Sequence, residues 1–121
     1  MTAAEKLEID TTTIRQTYDA GFCCASTAEA DRLHDLLTAH VQLLIPEVYA
    51  LTPRMREDQR RLTDLVICRA KEHLEKRLEE WRAAPVTHVY DLATSSRALL
   101  TLYEYPGPLD EGQKTPVDAG K

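Results

Sequence analysis

The amino-acid sequence predicts an all-α protein, a single-domain antiparallel bundle of about four helices followed by a disordered C-terminal tail. Two observations carry this. Between Met1 and Tyr105 there is one glycine, Gly21, and almost no strand-type alternation, while apolar residues recur at steps of three and four. Beyond Tyr105, by contrast, lie Gly107, Gly112 and Gly120 together with Pro106, Pro108 and Pro116. A bundle domain over residues 1–105 and a disordered tail over 106–121 follow from that shift in composition. A chain of 121 residues suits one domain with its own core.

The first helix follows Asp10, a good N-cap, and carries Ile14, Tyr18 and Phe22 four apart on one face. The second opens at "STAE", where Ser26 and Glu29 form a capping box that satisfies end amides. Leu33, Leu37, Val41, Leu44, Val48 and Leu51 then make one buried stripe. Thr52 followed by Pro53 reads as an N-cap with proline at the first helical position. A third helix is expected from there to about Ala83, with Leu62, Val66, Ala70, Leu74 and Trp81 inward and Glu72 paired to Lys76. "AAP" ends it. The fourth carries Val89, Leu92, Ser96, Leu99 and Tyr103, widened by Ala93 and Leu100.

Pro46 interrupts the second helix on paper, since proline lacks an amide hydrogen and its ring crowds the carbonyl four residues back. Val48 and Leu51 nevertheless stay in phase with the stripe before it, and a break between two helices has no need to keep phase. One helix bent at Pro46, with the Gln42 carbonyl short of its usual partner, is the expected arrangement.

Charge and motifs exclude several classes. A net charge of −5 opposes binding to a phosphate backbone, and Arg54, Arg56, Arg60 and Arg61 are interleaved with Glu57 and Asp58, as on a solvated helix face. Cys23, Cys24 and Cys68 form no CxxC pair, so reduced thiols packed as small apolar groups are expected in place of a disulfide framework or zinc site. "DRLH" and "EH", at Asp31, His34, Glu72 and His73, lack the doubled Glu-x-x-His of a di-iron bundle. No metal or cofactor is called for, and no GxGxxG, P-loop, GxSxG or HExxH is present. The N-terminus lacks the basic and apolar regions of a leader, and no run approaches a membrane span, so a soluble cytoplasmic protein is expected.

The candidate catalytic residues are His40, Glu47 and Arg97. On the wheel of the second helix His40 and Glu47 fall within the apolar arc, seven residues or about 10 Å apart along the axis. Arg97 borders the stripe of the fourth helix, as does Glu104. Two uses stay open. In one, Glu47 and Arg97 form a partly buried ion pair and His40 is a satisfied core histidine, which is how charges near cores are usually tolerated. In the other, His40 is an acid or base with Glu47 as its electrostatic partner, beside a pocket opened by the bend, and Arg97 holds an anionic ligand.

"LLTAHVQLLIPEV", "ICRAKEHL" and "DLATSSRALLTLYE" resemble, in order and spacing, a family of small actinobacterial proteins known as domain of unknown function 6415 and described as natural-product biosynthesis proteins. The likeness covers roughly Ser26 to Glu104, and His40, Pro46 and Glu47 in an H-x5-P-E pattern are its most specific part. Thr94 stands where that family often has arginine. The resemblance implies secondary metabolism in a bacterial cytoplasm and no particular reaction. The expected function is therefore that of a small helical accessory or regulatory protein acting through a protein partner or as a homodimer. The alternative is a cofactor-independent small-molecule-binding protein or tailoring enzyme, for cyclisation or isomerisation, with its pocket at His40, Glu47 and Arg97.

Overall fold

A computed structural model describes residues 9–109. Within them the chain is all-α: five α-helices and one 3-10 turn, with no strand among the described residues beyond an isolated bridge from Met55 to Leu109.

Helix α1 (Thr11–Phe22) starts where expected. The Asp10 carboxylate accepts the Thr13 amide at 3.1 Å and the Thr13 hydroxyl at 2.7 Å. Its buried line is Ile14, Thr17 and Gly21, so Tyr18 and Phe22 flank the contact where the sequence had centred it on them. Thr17 is tolerated inside because its hydroxyl donates to the Thr13 carbonyl at 2.8 Å.

Helix α2 (Thr27–Tyr49) runs unbroken through Pro46, as the phase argument required. Ser26 accepts the Glu29 amide at 3.2 Å, while the Glu29 carboxylate reaches the amide of Ala25, one residue further back than in the standard box. Leu33, Leu37, Val41, Leu44 and Val48 are buried along it, whereas Leu51 lies beyond its end and is half-buried. Pro46 itself is solvent-exposed. Its ring therefore takes no core volume.

The expected third helix is divided. Thr52 donates its hydroxyl to the Tyr49 carbonyl at 2.8 Å, so it closes α2 instead of capping a new helix, and Pro53 sits in a 3-10 turn over Thr52–Arg54. Helix α3 (Glu57–Leu74) begins only after the chain turns at Arg56, and the Arg60 guanidinium secures that corner by donating to the carbonyls of Thr52 and Met55. Buried Thr63, Ile67 and Ala70 centre its inner face, so Leu62, expected inside, stands outside. The Thr63 hydroxyl lies 3.2 Å from the sulfur of buried Met55, which gives this polar side chain a partner on the inner face. Glu72 pairs with Arg69 at 3.5 Å in place of Lys76, which lies past the helix end.

A separate short helix α4 (Leu78–Ala83) follows, started by the Glu80 carboxylate accepting the Arg77 amide at 3.0 Å. Helix α5 (Pro85–Glu104) uses Pro85 in its first turn and buries Val89, Leu92, Ala93, Ser96, Leu99 and Leu100 as predicted, while Tyr103 is only half-buried. It packs on α1, α2 and α3 and is the centre of the fold. Gly21 makes a close approach of α1 to α5 possible, because a Cβ there would lie 2.9 Å from the Ala93 Cβ and 3.2 Å from Leu37 Cδ1.

Residues 105–109 carry no helix, but they fold back on the start of α3. Gln59 donates to the Pro106 carbonyl at 3.0 Å, and Gly107 adopts a left-handed φ of 86° beside the Gln59 side chain. The rest of the expected tail lies outside the described residues.

Candidate functional site

His40, Glu47 and Arg97 are held on different surroundings. His40 is half-buried on α2 with its Nδ1 shielded and unpartnered; burial lowers its pKa while the Asp10 carboxylate pulls the other way. Glu47 is exposed on the last turns of α2, not turned into the core. Arg97 is also exposed and makes no ion pair with it; the guanidinium lies 4.6 Å above the Phe22 ring of α1. Glu104 is taken by Arg15.

The described surface opens elsewhere, between α3 and α5. Two adjoining hollows of about 320 and 330 Å³ share Val66, Thr94 and Ala98, and together they form one groove. Arg97 lines it, whereas His40 and Glu47 line neither hollow. On its α3 side stand Leu62 and Leu65, 53% and 58% exposed, an unusual outlay of leucine on a free helix face.

One end of this groove is polar. His73 Nδ1 of α3 meets the Ser95 hydroxyl of α5 at 2.9 Å, with Asp91 one turn before Ser95. Ser95 is buried, and burial lowers the His73 pKa against the opposing pull of Asp91. The spacing suits proton exchange between the two. Ser95 sits in mid-helix, however, so the amides around it are committed to α5 and supply no oxyanion pair.

Behind that end is a ring cluster that joins three elements. Trp81 of α4 lies flat on His34 of α2, 4.0 Å between centroids, and His88 of α5 stands 5.3 Å from His34 and 5.5 Å from Trp81. His88 is 3% exposed with Nδ1 unpartnered, and its pKa is lowered to about 4, first by burial and then by nearby His34, Lys76 and His73. Among the described residues no group of three or more histidine, cysteine or acidic side chains is arranged to hold a metal. No helix of the described residues is long and apolar enough to cross a membrane. The thiols divide, with Cys24 buried but Cys23 and Cys68 exposed, where all were expected to pack inside.

Sequence reasoning missed His88 and Ser95. Their signal was periodic, because His88, Leu92, Ser95, Leu99 and Leu102 follow at steps of four and three, and two polar members of a buried line invite the question of their partners.

Residues 11–108 match the model of the Family of unknown function (DUF6415), and the chain belongs to that family. Neither the curated proteins nor the solved structures contain a match to it.

Proposed function

We propose that this member of an uncharacterised family is a small accessory or regulatory protein that acts through protein contacts, in the natural-product setting implied by its sequence motifs. The observation that supports this is the open α3–α5 groove with Leu62 and Leu65 exposed beside it. Exposed leucines beside small residues such as Ala98 suit the ridge of another helix, which gains from burying apolar area at about 25 cal/mol per Å². Arginine side chains concentrate binding energy at such surfaces, and Arg97 lines the groove.

The test is genetic. A host lacking the gene is complemented with the wild type or with Leu65→Asp, whose site is exposed enough to leave the melting temperature unchanged. Loss with Leu65→Asp, at equal soluble protein, of whichever secondary metabolite the deletion abolishes and the wild type restores is expected. Full restoration of output by that variant would overturn the contact reading.

A second reading, small-molecule binding, draws on the polar end formed by His73, Asp91 and Ser95. It predicts that His73→Ala abolishes output while Leu62→Asp, outside the hollow that His73 lines, does not.

A further inference from the structure

The outward stripe of α5 carries opposite charges, Asp91 and Arg97, at equal distances from its midpoint Thr94. Thr87, Tyr90, Thr94, Arg97 and Thr101 are exposed, and Asp91 and Ala98 are half-exposed. About Thr94 these positions mirror one another: Tyr90 and Asp91 lie one turn before it, Arg97 and Ala98 one turn after, and Thr87 and Thr101 two turns out on either side. At 100° per residue all seven fall within an arc of about 120°.

A helix face with this pattern is complementary to itself when turned end for end. We propose that the occupant of the α3–α5 groove is a second copy of this chain, docked antiparallel with Thr94 facing Thr94 on a two-fold axis. The proposal rests on the contact reading above and names its partner.

Under that axis each layer is made of four residues. Tyr90 and Asp91 of one copy meet Arg97 and Ala98 of the other, and the layer recurs on the far side of Thr94. Charge complementarity supports the match. Among the described residues neither Asp91 nor Arg97 has an ion-pair partner, and the Arg97 guanidinium rests on the Phe22 ring. In the layer the guanidinium lies over Tyr90 of the opposite copy, as it already lies over Phe22, with the Asp91 carboxylate beside it. Ala98 leaves space for both. The threonines on and flanking the axis are small enough for close helix approach. Asp91 and Ala98 lie on the α3 side of the stripe, where both line the groove with Leu65, so the two-fold also brings the exposed Leu62 and Leu65 of both copies together along one edge of the seam. An isologous contact of this kind closes on itself and yields a dimer.

Light scattering after size exclusion, over a concentration series, should show a dimer. Arg97→Asp and Asp91→Arg should each shift it to monomer with unchanged helical content, and the double variant should recover the dimer. Register is read separately on full-length chains carrying Cys23→Ser and Cys68→Ser. A short bis-maleimide should join two copies of Thr94→Cys, fail to join Thr101→Cys to itself, and join Thr101→Cys to Thr87→Cys when the two are mixed. A monomer at every concentration, a dimer indifferent to both charge reversals, or cross-links that ignore this pairing would each overturn the proposal. A monomer that still loses output with Leu65→Asp would overturn the dimer alone and leave the contact reading standing with a different protein as partner.

Discussion

Trp81 lies flat on His34, with 4.0 Å between ring centroids and 11° between planes, and through this stack α4 is fastened to α2. Helix α4 has no buried residue of its own. Trp81→Ala should therefore free residues 78–83 while leaving the bundle folded, at a cost of about 1–2 kcal/mol for a half-buried aromatic that also loses a ring partner. Hydrogen exchange should show fast amides confined to that segment; protection equal to the wild type would mean that other contacts hold α4.

The same cluster makes stability depend on pH. The pKa of His88 falls from 6.5 to about 4 on folding, and burial also lowers those of His73 and His40. The unfolded chain then binds protons that the folded chain refuses, so stability is full above about pH 6.5 and is lost as pH falls toward 4. Melting temperatures across that range should decline, and His88→Leu, which cannot take up the proton, should flatten the slope by about one proton. An unchanged slope would place the titration elsewhere.

Gly21→Ala tests the close approach of α1 to α5. The added methyl would meet the Ala93 Cβ at 2.9 Å, and neither backbone can withdraw without disturbing Leu37 and Val89. A loss of about 1–3 kcal/mol in urea unfolding is expected, as for other overpacked cores, despite the better helix propensity of alanine. A gain in stability would show that α1 and α5 part readily.

Ser26→Ala removes the side-chain acceptor of the Glu29 amide at the start of α2. The cost should be about 1 kcal/mol, measured by chemical denaturation. A value near zero would mean that the Glu29 carboxylate on Ala25 is enough to hold this end.

Much of this fold could be read from spacing alone, for a reason that α2 and α5 make plain. Both bury long stripes whose period is undisturbed, so Leu33 to Val48 and Val89 to Leu100 declare their inner faces. Helix α3 is different. A polar threonine, Thr63, shares its inner face with Ile67 and Ala70, so hydrophobicity misplaced Leu62 while Val66, Ala70 and Leu74 turn inward as expected. The break before α4 was hidden because Glu75, Lys76 and Arg77 are good helix formers, and only the return of Glu80 to the Arg77 amide marks a new start. The groove was illegible for a related reason, since it depends on how α3 is rotated against α5, which is a tertiary quantity. Arg97 was placed on the border of its stripe correctly, but its partner is Phe22 of α1 and not a carboxylate of α2.

Pro46 offers the clearest separation between shape and function. The helix passes through it, the ring is exposed, and neither Pro46 nor Glu47 lines the α3–α5 groove. Pro46→Ala restores an amide that can donate to the Gln42 carbonyl, a gain of about 0.5–1.5 kcal/mol, and removes the crowding of the ring. Against this, the unfolded chain regains freedom that proline had denied it, worth about 0.4–1 kcal/mol. The two nearly cancel, so stability should be unchanged or rise by less than about 1 kcal/mol. Under the proposed α5 contact, self-association and the output of a complemented host should be untouched, because that surface lies on other helices. A variant that folds normally yet loses output would return attention to His40 and Glu47 as a positioned pair, since small displacements of such groups can cost about 100-fold in rate. A variant that fails to fold would show that the turn of α2 after Pro46 depends on the proline to start it.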